Sequence, residues 1–124
     1  MGTKNLKPVE WIGSSYKDFA SFPETVQHEM GFALYLAQTG RMHVSAKPLK
    51  GFGGANVVEL TENDRHGTYR TVFTVRFESA VYILHAFQKK SKKGIKTPHE
   101  EIELIRRRLK IAEEDYNGRA KGST

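Results

Sequence analysis

The chain has 124 residues, and its 20 lysines and arginines against 14 aspartates and glutamates leave a formal charge of +6. This length fits one small domain and excludes a two-domain enzyme with a separate cofactor domain, because domains usually take about 100 to 200 residues. The lack of cysteine excludes disulfides, thiolate metal sites and cysteine nucleophiles, and no apolar run is long enough to predict a membrane helix. We expect one cytoplasmic domain over residues 1–124, with a disordered tail at 117–124.

The first half of the sequence predicts one short strand and two helices. Residues 9–13 are aromatic and β-branched, which is typical of a strand. Ser15 followed by Asp18 resembles a helix cap and predicts one or two helical turns. Apolar residues then recur at spacings of three and four and predict a helix over about 23–39. Residues 41–55 contain three glycines and one proline without periodicity, which indicates an irregular loop.

The middle of the sequence predicts an antiparallel meander, because apolar residues there alternate with a period of two. The three predicted strands are residues 56–61, 68–77 and 80–87. Residues 62–67 form the first predicted turn, and Glu78 and Ser79 form a tight second one. Arg70 falls on the strand face opposite to Tyr69, so we expect one face of this ribbon to be core and the other to be polar and uncovered.

The second predicted turn determines which residues face each other on the last two strands. A two-residue turn places Val72 opposite His85 and Arg70 opposite Phe87. Arg70 and His85 then become diagonal neighbours on one face, about 7 to 8 Å apart at the backbone. A guanidinium and an imidazole at that separation can act on one small ligand group.

A lysine-rich segment and a helix complete the chain. Residues 89–96 hold five lysines. Thr97, Pro98 and Glu100 have the pattern of an N-cap, a first helical proline and a capping acid, so a helix is predicted to start there and to run to about residue 116. The elements together predict an α+β domain with a small antiparallel or mixed sheet, two N-terminal helices and a C-terminal helix.

The densest candidate site is formed by His85 and the lysines that follow it, with Arg70 on the neighbouring strand. Cleavage of an RNA phosphodiester needs a base for the 2′-hydroxyl proton, cations for the charge on phosphorus, and an acid for the leaving oxygen. Arg70 and Lys89 suit the phosphate, and His85 and Lys90 suit proton transfer, without a metal or other cofactor. The predicted weaker contacts to the RNA backbone are Lys47, Lys50, Arg76, Lys92 and Lys93.

The same residues also have structural interpretations. His85 shares its strand face with apolar residues, which suits a structural histidine, and Glu59 on the preceding strand is a partner for Arg70. The lysine run also fits a solvated linker, and the arginines of the last helix lie among glutamates, which favours a solvated face. A metal site is not supported, because the five histidines never fall at ligand spacing. A serine hydrolase is not supported either, because no strand-turn-helix surrounds a Gly-x-Ser-x-Gly.

The order of the segments resembles a known family of proteins. The segments that carry the resemblance are Trp11-Ile-Gly-Ser-Ser15, Val58-Glu59-Leu60, Gly67-Thr-Tyr-Arg70 and Leu84-His85-Ala-Phe87-Gln-Lys89-Lys90-Ser91, followed by Thr97-Pro98. They resemble the RelE/ParE superfamily of bacterial toxins, most closely its HigB-like, phage-derived branch. The resemblance implies a microbial-RNase-like α+β fold and a type II toxin that forms a hetero-oligomer with a small helix-turn-helix antitoxin. It also implies ribosome-dependent cleavage of mRNA.

The resemblance further implies roles for single residues. Arg70 falls where the family has a phosphate-contacting arginine, and His85, Lys89 and Lys90 fall at its basic rim. Members that cut mRNA also use a basic or aromatic residue near the C-terminal end of the sheet, where this chain has a helix. Superfamily members include gyrase inhibitors that cut no RNA. The alternatives are therefore a non-catalytic, ParE-like inhibitor of gyrase or another replication protein, and a simple RNA-binding module.

Overall fold

The computed structural model describes residues 6–54, 56–89 and 97–122. In chain order the elements are β1 (Val9–Trp11), α1 (Ser15–Ala20), α2 (Glu24–Gln38), β2 (Ala46–Pro48), β3 (Val57–Asp64), β4 (Gly67–Thr74), β5 (Val81–Lys89) and α3 (His99–Gly122). The predicted α+β class, with two N-terminal helices and a C-terminal helix, is confirmed.

One mixed sheet of five strands forms the centre of the described part of the chain, in the spatial order β1-β5-β4-β3-β2. β1 runs parallel to β5, and the other neighbours are antiparallel. The short edge strand β2 lies inside the predicted irregular loop, where Ala46 pairs with Leu60 and Pro48 pairs with Val58. Proline is compatible with this position because an edge strand leaves one side of its backbone without a sheet partner.

The connection between β4 and β5 differs from the predicted tight turn at Glu78 and Ser79. β4 ends at Thr74 and β5 begins at Val81, so the intervening residues form a longer loop. Phe77 in this loop stacks on Tyr116 of α3 at 4.6 Å between ring centroids, and the Ser79 hydroxyl lies 2.8 Å from the Tyr116 hydroxyl. Packing against α3 therefore replaces the hairpin turn.

The predicted register beside the candidate site is nevertheless confirmed. Val72 pairs with His85, and Arg70 pairs with Phe87. Next along the strands, Phe73 pairs with Ile83, so Leu84 is an extra residue in β5. This β-bulge shifts the pairing by one residue. The shift restores the predicted register beyond the bulge, so Arg70 and His85 are diagonal neighbours despite the longer connection.

Helices cover both faces of the sheet. On one face, α1 and α2 pack a core of buried residues that includes Met30, Leu60 and Phe73. On the other face, α3 packs Ile105 and Leu109 against residues such as Val72, Leu84 and Tyr82. The prediction of a polar, uncovered face is therefore wrong: this face carries enough apolar side chains to bind the apolar stripe of α3.

The bounds of α3 also differ from those predicted. The helix begins at His99, and the Pro98 carbonyl accepts its first backbone hydrogen bond from Ile102, so Pro98 is the N-cap instead of the predicted Thr97. Its C-terminal end continues to Gly122, through part of the segment predicted to be a disordered tail. Arg119 makes paired contacts of 2.8 and 3.2 Å to the carboxylate of Glu10 on β1, and these contacts attach the last turns of the helix to the sheet.

Replacing Ile105 by alanine tests whether α3 packs on this face. Ile105 is fully buried, whereas Ile111 on the same helix is 49% exposed. We expect Ile105→Ala to lower the free energy of unfolding by about 2 to 5 kcal/mol, through lost apolar contact and a residual cavity. The matched control Ile111→Ala should change it by less than about 0.5 kcal/mol. Urea unfolding measures both values, and equal costs would contradict the observed packing of α3.

Candidate functional site

The predicted catalytic residues Arg70, His85 and Lys89 lie together on the sheet face that α3 covers. Only 6%, 6% and 8% of their respective surfaces are exposed. The fourth, Lys90, lies outside the described residues, as do Lys92 and Lys93. The guanidinium of Arg70 and the imidazole of His85 lie side by side as predicted, but both groups are buried, whereas the sequence predicted that they would be exposed to solvent.

Arg70 is held by the carboxylate of Glu59 on β3. The Arg70 Nη1 atom lies 2.5 Å from Oε1 of Glu59, and both side chains are largely buried. The second oxygen, Oε2, accepts a hydrogen bond of 2.7 Å from the hydroxyl of Thr97, just before α3. Glu59, the partner expected if Arg70 has a structural role, therefore does bind Arg70. Among the described residues, the Arg70 Nε atom has no hydrogen-bond partner.

His85 is held by the carboxylate of Glu101 in the first turn of α3. Its Nε2 atom lies 2.7 Å from Oε1 of Glu101, and its ring stacks on Phe87 at 4.8 Å between centroids. A carboxylate in this position fixes the orientation of the imidazole ring. The Nδ1 atom has no partner within the part of the chain that the structure describes.

Lys89 completes the group at the end of β5, where it pairs with Thr68. Burial lowers the pKa of the Lys89 ammonium, the charge of Arg70 lowers it further, and the Glu59 carboxylate opposes both effects. A lysine with a lowered pKa exchanges its proton more readily near neutral pH. We call these residues the polar cluster: Glu59, Arg70, His85, Lys89, Thr97 and Glu101.

Two members of the polar cluster are not among the predicted site residues. The charge pattern places Glu101 on a solvated helix face and the capping pattern places Thr97 at a helix start, but Glu101 bonds to His85 and Thr97 bonds to Glu59. One sequence signal was present: an acidic helix start directly follows a strand that carries a histidine and lysines. Opposite charges so close along the chain can pair when the helix folds back onto the strand.

An open cleft of about 530 Å³ runs along one edge of β5. β1 pairs only with Val81, Tyr82 and Ile83, and the next carbonyl, that of Leu84, accepts a hydrogen bond of 3.0 Å from Arg108. Beyond that point the strand edge borders this cleft, which we call the edge cleft. Its lining is formed by Asp18, Ser21, Phe22, Pro23, His66, Tyr69, His85, Ala86, Phe87, Gln88 and Glu101. His85 and Glu101 belong to both the polar cluster and the edge cleft.

The predicted RNA-backbone contacts are not gathered around this cleft. Lys47 and Lys50 are exposed on and after β2, at the opposite edge of the sheet from β1. Arg76 forms an ion pair with Glu113 of α3. The structure therefore joins Arg70, His85 and Lys89 into one group, and it leaves Lys47, Lys50 and Arg76 outside that group.

Residues 6–54, 56–89 and 97–122 hold neither a membrane-crossing helix nor a metal-binding group. No helix there combines the length and apolar character needed to cross a membrane. No three side chains of histidine, aspartate or glutamate in these ranges are grouped so as to hold a metal ion.

The fold is similar to that of solved toxin structures. A mutant of the E. coli toxin RelE in the free state matches with a TM-score of 0.52 and 16% identity, over 70% of this chain and 87% of that chain. The isolated E. coli RelE toxin matches with a TM-score of 0.50 and 16% identity, over 82% of this chain and 97% of that chain. No curated protein gives a significant match.

A family model covers most of the sequence. The model described as Phage derived protein Gp49-like (DUF891) matches residues 17–110. This range contains Arg70, His85, Lys89 and Lys90. The predicted phage-derived branch is confirmed by this family match, and the predicted resemblance to RelE-type toxins is confirmed at the level of the fold. The chain therefore belongs to the Gp49-like family of phage-derived proteins.

Proposed function

We propose that this protein is the toxin of a type II toxin-antitoxin system and that it cuts mRNA on the ribosome without a metal. The observation that carries the proposal is the polar cluster, in which an imidazole, a guanidinium and a lysine of lowered pKa lie together at the end of β5. The RelE-like fold and the charge of +6 support the choice of RNA as substrate.

In the proposed reaction, His85 takes the proton of the 2′-hydroxyl while Glu101 orients the ring and stabilises the imidazolium. The 2′-oxygen attacks phosphorus, and the bond to the 5′-oxygen breaks. Arg70 and Lys89 stabilise the charge on the phosphoryl oxygens, and Lys90 gives a proton to the departing 5′-oxygen. The products are a 2′,3′-cyclic phosphate and a 5′-hydroxyl.

Access to the phosphate-binding groups requires a local rearrangement. Arg70 is paired with Glu59, and Thr97 and Glu101 attach the start of α3 to Glu59 and His85. A phosphodiester reaches Arg70 when the first turn of α3 moves and phosphate oxygens take the place of carboxylate oxygens. Arg70 contacts Glu59 through Nη1 and its Nε has no partner among the described residues, so phosphate oxygens can accept hydrogen bonds from both nitrogens.

The proposed partners follow from the same assignment. They are a cognate helix-turn-helix antitoxin, which forms a hetero-oligomer with the toxin, and the ribosome with its mRNA. The proposed location is the cytoplasm, where translation takes place. Binding to RNA through lysines and arginines should weaken steeply with salt, because such contacts release counterions.

One observation favours a different function. Arg70 and His85 are buried and already paired with carboxylates, as structural residues usually are. A non-catalytic inhibitor of gyrase or another replication protein fits this arrangement. A simple RNA-binding module fits less well, because aromatic side chains of the sheet such as Tyr69 and Phe73 are buried rather than exposed for base stacking.

Replacing His85 tests the proposed chemistry. We expect His85→Ala to slow translation-coupled mRNA cleavage by about 100-fold or more, because a positioned general base contributes at least that factor. His43→Ala is the matched control, because His43 also lies 3.1 Å from a glutamate, Glu29, but does not line the edge cleft. Primer extension on ribosome-bound mRNA measures the rates, and urea unfolding verifies that both variants fold.

Equal cleavage by His85→Ala and wild type would contradict the role of His85. A folded wild-type protein that leaves ribosome-bound mRNA intact and blocks DNA supercoiling would favour the inhibitor. The first outcome would show that His85 is not the general base, and the second would show that the protein is not a nuclease.

A double-mutant comparison separates the structural role of Arg70 from its catalytic role. Arg70→Met leaves Glu59 buried without its cation, so we expect a loss of about 3 to 5 kcal/mol in the free energy of unfolding. Adding Glu59→Leu should recover most of that loss. The double variant should still fail to cut mRNA, because it has no guanidinium for the phosphate. Cleavage at the wild-type rate by a stable double variant would show that Arg70 is only structural.

A further inference from the structure

We propose that the surface where α3 meets the loop after β2 binds the phosphate backbone of RNA, apart from the polar cluster. Four exposed cationic side chains form this surface, which we call the basic stripe: Lys47, Lys50, Arg106 and Lys110. The inference rests on the proposed function in taking RNA as the ligand. The sequence predicts RNA contacts at Lys47 and Lys50 but places the cations of α3 on a solvated helix face, and the structure brings the two sets together.

Strand register determines the position of Lys47. Lys47 is paired with Glu59 across β2 and β3. Residues directly opposite each other in an antiparallel pair project from the same face of the sheet. The side chain of Glu59 binds Arg70 and Thr97 on the α3-covered face, so Lys47 lies on that face too, at its β2 edge. The basic stripe therefore begins one strand away from the carboxylate that holds Arg70.

The loop after β2 brings Lys50 to the helix. Its neighbours Leu49 and Phe52 pack into the same core as Ile105 of α3. The carbonyl of Gly51, the residue after Lys50, accepts a hydrogen bond of 3.1 Å from the Nη1 atom of Arg106. Lys50 itself stays exposed, so the packing of its neighbours fixes a free ammonium group beside α3.

Arg106 and Lys110 continue the basic stripe along the helix. The guanidinium carbon of Arg106 lies 4.7 Å from the centroid of the Phe52 ring, and this contact and the bond to Gly51 hold the side chain in place. A guanidinium carries five N–H donors, so donors remain for a ligand. Lys110 follows four residues later, which places it one turn further on the same side of the helix.

The cations of the basic stripe are not neutralised by carboxylates. Over residues 6–54, 56–89 and 97–122, none of the four forms an ion pair within 4.0 Å. The nearby carboxylates of α3 have other partners or none: Glu113 is paired with Arg76, Glu103 lies 3.8 Å from His99, and Glu114 is exposed. The stripe therefore keeps most of its positive charge.

The opposite side of α3, towards β1, is electrically balanced. Arg119 there forms ion pairs with both Glu10 and Asp115. The uncompensated positive charge of the helix therefore lies on the β2 side, where it attracts a polyanion. Lysine and arginine contacts to phosphates position a nucleic acid without reading its bases. A strand bound along the stripe is directed by Lys47 towards Arg70, where the proposed reaction takes place.

Removing two lysines of the stripe tests the inference on the full chain. A fluorescein-labelled single-stranded RNA is titrated with Lys50→Gln/Lys110→Gln at several salt concentrations, and fluorescence anisotropy measures the dissociation constant. We expect binding at 0.1 M salt to weaken by about 10-fold or more. The slope of log K against log salt should fall in magnitude by about 1.4, which is about 0.7 for each lost phosphate contact.

Lys17→Gln/Arg41→Gln is the matched control. It removes the same two charges from exposed side chains of α1 and of the loop after α2, away from the stripe. We expect its affinity for the RNA to differ from that of wild type by less than about 3-fold. All four substitutions replace exposed side chains, so we expect both double variants to fold as wild type does.

Ribosomes without mRNA, in a sedimentation assay, form the second arm and distinguish the source of the phosphates. Weaker binding of the stripe variant than of the control to the labelled RNA identifies a single strand as the ligand. Weaker binding to ribosomes alone identifies folded ribosomal RNA. The inference is overturned if the two double variants bind both probes equally well.

Failure of the proposed function gives a different result. If wild type leaves ribosome-bound mRNA intact but binds either probe through Lys50 and Lys110, the RNA surface stands and the nuclease assignment is wrong. If wild type cuts mRNA and the two double variants bind both probes equally, the nuclease assignment stands and the RNA surface is wrong.

Discussion

The pairing of buried polar side chains with two carboxylates is the constraint on which the rest of this structure depends. Arg70, His85 and Lys89 lie on a sheet face that α3 covers, and polar groups can be buried there only when they are hydrogen-bonded or paired. Glu59 supplies one partner from within the sheet, and Glu101 supplies the other from the helix. The same contacts therefore bind the start of α3 to the sheet and determine whether Arg70 and Lys89 are accessible.

The β-bulge in β5 links this cluster to the open edge of the sheet. The extra residue, Leu84, lies where pairing with β1 ends, and its carbonyl accepts a hydrogen bond from Arg108. Past this point β5 has one face against α3 and one edge along the cleft, so His85 reaches both.

Two different environments meet at this end of β5. The α3-covered face holds Arg70 and Lys89, which suit a phosphate under the proposed function, and the edge cleft is lined by apolar residues and by polar ones such as Asp18 and Glu101. His85 and Glu101 belong to both places. The carboxylates that pair with Arg70 and His85 occupy positions that phosphate oxygens would take, so the described conformation is a closed one that RNA opens under the proposed function.

The sequence by itself determined the α+β class, the helix over 24–38 and the diagonal placement of Arg70 and His85, because these depend on local periodicity and on strand register. The placement was right although the predicted turn was wrong, since the bulge at Leu84 offset the longer loop. Only the tertiary structure decided that the face of Arg70 is buried and that Glu101 reaches His85. These facts depend on packing that gathers residues far apart in the chain, such as Leu84 and Ile105, into one core, and such packing leaves no local pattern.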